Sequence, residues 1–173
     1  MSGLDEDTIR EILERVRTRF YGKYRGTVTD VEPSGRGRIK AKVPAVLGEQ
    51  TTGWCMPCVP YAGPDVGLAV LPEVGGGVWI EFEGGDVSYP IWTGCYWRAG
   101  EMPSDAAPAA KVLRTKAGHQ IVLDDDAGSV TVTDANGNTV TLDGSGITLE
   151  RSGKKVVVSD SAVTVNDGAL EVS

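Results

Sequence analysis

Three cysteines and a single histidine are the residues of this 173-residue chain best suited to metal or thiol chemistry. Cys55-Met56-Pro57-Cys58 has the C-x-x-C spacing, but a tetrahedral zinc site wants four ligands, and Cys95 and His119 would have to supply the rest from distant positions. A thioredoxin-type dithiol would have to open a helix after a strand, whereas the flanks Gly53-Trp54 and Val59-Pro60 read as extended. Buried free thiols are the plain expectation. A disulfide from Cys95 to one of the other two, or a cross-link between subunits, stays open. Asp124, Asp125 and Asp126 would be the carboxylates for hydrolytic chemistry, yet an acidic run beside a turn is ordinarily a solvated corner. His119 has no Ser or Cys nucleophile in a recognisable context and reads as structural. These residues assign no catalytic group, no metal site and no cofactor.

A second chemistry is base stacking. Tyr24, Tyr61, Trp79 and Trp92 beside Arg36, Arg38, Lys40 and Lys42 would suit a single-stranded nucleic-acid surface on a small barrel. Ten of the seventeen basic residues lie between Arg10 and Lys42. The whole chain nevertheless carries a net charge of -7 with a pI near 4.7, which argues against nucleic acid as the main partner. The single-stranded nucleic-acid-binding module is kept as the competing reading.

The elements that must hold these residues fall into four stretches: a helix over residues 1–22, a barrel over 23–97, a linker over 98–110 and a repetitive β segment over 111–173. Acidic Asp5, Glu6 and Asp7 at one end and Arg15, Arg17 and Arg19 at the other suit the helix dipole, and Gly22 reads as its stop. Ile9, Ile12, Leu13, Val16 and Phe20 make one apolar stripe, which needs a surface: the chain's own barrel, a partner protein or a symmetry mate. Strands are expected at Tyr24 to Val31, Arg38 to Val43, Gly53 to Val59, Gly67 to Leu71, Val78 to Glu83 and Ile91 to Tyr96, a count that suits a closed OB-type barrel. The fold class is therefore mainly β. No apolar run approaches the roughly 20 residues that span a bilayer, and no secretory leader is recognisable, so the chain is expected to be made in a cytoplasm.

From residue 111 onward, paired apolar residues return every seven to ten positions. The pairs are Val112/Leu113, Ile121/Leu123, Val130/Val132, Val140/Leu142, Ile147/Leu149, Val156/Val158, Val163/Val165 and Leu170/Val172. Turn chemistry such as Asp143-Gly144-Ser145-Gly146 and Ser152-Gly153 separates them. From the second pair on, the strands alternate apolar and polar except where Val122 and Val157 stand between a pair, so one face is greasy and the other carries chiefly Thr, Ser, Asp, Glu and Lys. A single-chain meander or sandwich is one architecture for this pattern. Against it, each strand has two core positions only, and no aromatic residue follows Trp97 to fill a core. Copies of the chain must then supply the missing surface, which predicts an oligomeric rod.

Three runs carry a resemblance to a family: Leu71-Pro72-Glu73-Val74-Gly75, Val78-Trp79-Ile80-Glu81-Phe82-Glu83-Gly84-Gly85-Asp86, and Pro90-Ile91-Trp92-Thr93-Gly94-Cys95-Tyr96-Trp97. Together they resemble the OB domain of the phage baseplate assembly protein V and Vgr spike family. Lys116 to Asp125 resembles the start of that family's C-terminal β-helix. Gly76-Gly77 departs from it where a charged pair is common, and Cys95 where a small hydroxyl residue is common.

The resemblance implies an intertwined trimeric β-helix needle after the barrel, and a structural, non-enzymatic role as the central spike of a contractile tail or related injection device. It implies a homotrimer whose core is Ile121, Leu123, Val130, Val132, Val140, Leu142, Ile147, Leu149, Val156, Val158, Val163 and Val165. A separate hub protein would dock on Ile9, Ile12, Leu13, Val16 and Phe20. A PAAR-like tip protein would sit on a platform of Leu170, Val172 and Ser173, because the end of the chain offers no His or Cys for a metal-bound point. Contact with the target envelope would be transient, and the particle would be a virion baseplate or tail-like assembly.

Overall fold

The structure is a computed structural model that describes residues 5–33, 35–167 and 169–172, so the expected platform residue Ser173 lies outside the described residues. The chain divides after Gly100 into two compact units.

The first unit begins with α1 (Glu6–Thr18), whose N-terminus is capped by the Asp5 carboxylate accepting from the Thr8 amide at 2.7 Å. The helix ends at Thr18, four residues before the glycine read as its stop. The Arg19 backbone is already extended there, because Phe20 donates its amide to the Gly85 carbonyl at 2.8 Å and Arg19 pairs with Asp86 at 2.8 Å. Tertiary bonds to the barrel thus outbid the local stop signal.

The barrel strands are β1 (Tyr24–Val31), β2 (Ile39–Lys42), β3 (Met56–Pro57), β6 (Gly77–Phe82) and β7 (Pro90–Tyr96), ordered β2-β1-β6-β7-β3 with β3 parallel to β7. Register shifts between Val28 and Asp30 and between Val78 and Ile80 bend β1 and β6. The sheet closes where Cys55, just before β3, bridges Ile39 of β2: its amide reaches the Ile39 carbonyl at 2.7 Å. Ile39, Ile80, Val28, Val43 and Val78 fill the interior. Gly77 is needed at its place, since a Cβ there would stand 2.8 Å from the Tyr96 ring and from the Tyr96 carbonyl. Short elements join these strands: α2 (Pro44–Leu47), β4 (Ala62–Gly63) paired with β5 (Val66–Gly67), and a 3-10 turn at Glu83–Gly85. The strand expected from Gly67 to Leu71 is therefore confined to its first residue, and Leu68, Val70 and Leu71 run on as exposed chain.

The second unit is one antiparallel sheet. Its strands are β8 (Ala110–Arg114), β9 (Gln120–Asp124), β10 (Ser129–Thr133), β11 (Asn138–Asp143), β12 (Gly146–Arg151), β13 (Lys154–Val158), β14 (Val163–Val165) and β15 (Leu170–Val172), paired in sequence order. The hydrogen bonds that a β-helix of three wound chains would place between chains thus run within one chain, because short hairpins return each strand beside its predecessor. The hairpin between β12 and β13 needs two residues only, Ser152 and Gly153, both at positive φ (49° and 74°), the geometry that matches strand twist. At Gly146 a Cβ would come 2.1 Å from the Val158 carbonyl, so β12 and β13 pack there without room for a side chain.

Candidate assembly surfaces

The register of the second unit sorts every strand position onto one of two faces. Ile121, Val132, Val140, Leu149, Val156, Val165 and Leu170 stand opposite one another in a column across the sheet, with Leu113 at its β8 end. Leu123, Val130, Leu142, Ile147, Val158, Val163 and Val172 form a parallel column on the same face. All twelve residues read as a trimer core are thereby brought together, and Leu170 and Val172 of the expected tip platform end the two columns. In β8 the sequence pairing was out of phase: Val112 stands opposite Val122 on the other face, and Lys111 takes the position opposite Leu123.

Nothing within the unit covers this face. Among its described residues Ala110 alone is buried, and Leu123, Val132, Leu142, Ile147, Leu149 and Val158 are exposed. Leu170 and Val172 are 60% and 62% exposed. A meander is thus the connectivity of the chain, but it has no core of its own. Apolar burial contributes roughly 25 cal/mol per Å² removed from water, so this face is where association gains most.

The opposite face carries Thr131, Thr141, Thr148 and Thr164 with Val112, Val122 and Val157 among them, and side chains brace several of the turns. Asp134 accepts the amides of Asn136 at 2.8 Å and Asn138 at 2.9 Å, and the Asn138 bonds above all hold its carboxyl well below the usual carboxylate range. Asp143 accepts the Ser145 hydroxyl at 2.6 Å and its amide at 2.7 Å, which lowers it likewise. His119 takes the Ala135 amide on Nδ1 at 3.2 Å and sends its own amide to the Thr115 hydroxyl at 3.2 Å, so it joins two turns. Asp124 caps its own turn through the Ala127 amide at 2.9 Å. Among the described residues no group of three His, Cys, Asp or Glu side chains is placed to hold a metal ion.

In the first unit α1 presents a second uncovered apolar surface. Ile9, Ile12, Leu13 and Val16 are all exposed, the last at 69%, and no residue of the helix is buried. Phe20 parts from them: its ring meets Tyr24 and Phe82 edge-on at 6.2 and 6.4 Å and packs against the barrel core. Tyr61, Val66, Leu68, Val70 and Leu71 line a third apolar surface, where the sequence predicts a strand from Gly67 to Leu71 and a stacking platform at Tyr61. The Cys55 thiol is fully buried, where lost solvation pushes its pKa up, and it meets the Thr52 hydroxyl at 3.2 Å. Cys58 and Cys95 are exposed and all three are free thiols.

The stacking surface read for nucleic acid is not assembled. Trp92 is buried and donates Nε1–H to the Gly37 carbonyl at 3.0 Å, while Tyr24 packs beside Phe82 at 5.9 Å. Trp79 is taken by Tyr96 at 5.1 Å and by Arg25, and Arg38 is held by Glu32. Lys40 lies over the Trp54 ring at 4.7 Å and Lys42 pairs with Glu49, while Arg36 and Tyr61 are exposed. Among the described residues no helix is long and apolar enough to cross a membrane.

Comparison with known proteins converges on the same two units. Residues 24–97 match the type VI secretion system/phage-baseplate injector OB domain, and residues 110–171 match the phage baseplate V C-terminal trimerisation domain. The type VI secretion system spike proteins VgrG2a and VgrG2b of Pseudomonas aeruginosa are each 33% identical over 110 residues, an alignment that covers 57% of this chain but 13% and 11% of theirs. The chain therefore spans a small part of the relatives it matches. An OB barrel followed by a sheet with an uncovered apolar face, matched in that order by both domain models, makes this chain a member of the phage baseplate V and type VI injector family.

Proposed function

We propose that the chain is the central spike of a contractile phage tail or related injection device, acting as a homotrimer without enzymatic activity. The observation that carries this reading is the uncovered two-column apolar face of β8 to β15, which has no core within the chain. Three copies related by a threefold axis would turn these faces toward one another and bury them, as the trimerisation domain suits. The rod so formed would be driven through the target envelope, and its work would be mechanical. The N-terminal end, with the exposed stripe of α1, would meet the hub of the baseplate. The C-terminal end, where β15 leaves both an open edge and the exposed Leu170 and Val172, would receive a PAAR-like tip protein. Multi-angle light scattering on the full chain tests the core of this reading: a mass of three chains is expected, and a monomer at micromolar concentration would sink it.

A further inference from the structure

The stripe of α1 has a border, and its charge says what covers it. At 100° per residue Ile9, Ile12, Leu13 and Val16 occupy an arc of about 100°. Arg10 and Arg17 flank this arc on one side with Glu6 in the first turn, and Arg15 flanks it on the other, while Arg19 follows the helix in extended backbone. Within the helix the remaining carboxylates, Asp7, Glu11 and Glu14, lie on the face away from the stripe, and Asp5 is engaged as the N-cap. Arg19 is engaged with Asp86, and Arg15 meets Glu11 at 3.3 Å in a pair so exposed, at 76% and 68%, that it offers little resistance to exchange for another carboxylate.

Two occupants are disfavoured by this layout. Three copies of α1 around a threefold axis run parallel, so one border of each stripe faces the other border of the next. That arrangement sets Arg17 against Arg15 of the neighbouring copy at nearly the same height, and like charges there are repulsive. An anionic bilayer would favour the arginines but not the three carboxylates on the outer face, and membrane-surface helices carry basic polar faces instead.

We infer that α1 is a ligand helix for an apolar groove rimmed by carboxylates on the hub protein, Arg10, Arg15 and Arg17 pairing with that rim while Ile9, Ile12, Leu13 and Val16 fill the groove. This rests on the spike reading and specifies the chemistry of its N-terminal partner. A 13-residue helix is short enough to be marginal alone, so the groove would also complete its folding.

The test uses the full-length trimer with the purified hub protein of the same particle, and separately with vesicles of phosphatidylglycerol. Hydrogen exchange should show the amides of residues 9–16 fast in the isolated trimer and protected once hub is added. Arg10→Glu with Arg17→Glu should weaken hub binding about tenfold at low salt and flatten its salt dependence, Val16→Asp should abolish it, and Glu14→Lys should leave it within about twofold. Slow exchange in the isolated trimer would give the stripe to the other copies and overturn the inference. So would vesicle binding without hub binding, or hub binding indifferent to the charge reversals. If the trimer binds hub through another segment, the groove is wrong and the spike reading stands; if the trimer binds no hub at all, both the groove and the hub-docking part of that reading fall.

Discussion

Ile147 of β12 stands directly opposite Val158 of β13 on the same face of the sheet, and the two remain 41% and 39% exposed. A cross-strand pair of β-branched residues is a favourable sheet contact, yet here it shields neither partner from water. No described residue of the second unit covers the pair.

Val158→Asp and, in the neighbouring column, Val132→Asp should each prevent trimer formation. Each would set three unpaired carboxylates into the shared interior, at about 3 kcal/mol or more per copy. Light scattering should then return the mass of one chain, whereas Thr141→Asp on the opposite face should leave a trimer.

Phe20 and Ile12 belong to different surfaces, so their truncations should separate. All four tryptophans lie at or before Trp97, which makes their fluorescence a report on the first unit alone. Phe20→Ala should lower the denaturant midpoint of that signal by an amount corresponding to about 2 to 3 kcal/mol, for a ring packed on the barrel core. Ile12→Ala should change it by no more than about 0.5 kcal/mol.

Gly146→Ala should disrupt the β12–β13 pairing, because the added Cβ would meet the Val158 carbonyl and the backbone sits at φ 133°. The loss should exceed about 1 kcal/mol, read as a lower melting temperature of the far-ultraviolet signal, while the tryptophan transition stays in place.

Acid should weaken the turn between β10 and β11. The Asp134 carboxyl titrates near 3.9 when unfolded and lower when folded, since the amides of Asn138 and Asn136 bond its charged form. Its contribution is thus complete above the unfolded value and is lost as pH falls through the folded one. Melting curves of Asp134→Ala should show a deficit at pH 7 that shrinks steadily below about pH 4. A deficit independent of pH would mean that the side chain acts by shape alone.

The repeat was the most legible part of the chain, because a period of two with turn residues between beats leaves little freedom in register: the twelve positions read as core share one face. The first beat failed where the period was not yet established, and Val112 was paired with Leu113 although adjacent residues of a strand face opposite ways. In the barrel, β1 ran from Tyr24 to Val31 as read, while the strand expected from Gly53 to Val59 shrank to Met56–Pro57, Pro57 and Pro60 having no amide to donate. α2 was missed although Pro44 at its first position and Gly48 just past its end bracket it in the sequence. What no pattern revealed was Phe20, which keeps the helical spacing of the stripe and yet packs into the barrel.

The pairing of β8 to β15 in sequence order also bears on how the second unit folds. Every ladder closes a loop of a few residues, so each hairpin forms at small entropic cost and on the timescale of local events, without waiting for distant chain. Contacts this local favour rapid folding and let the sheet grow strand by strand as the chain leaves the ribosome. Three such sheets then have only to collide and turn their apolar faces inward. Forming the trimer would then turn on a concentration-dependent encounter of three chains.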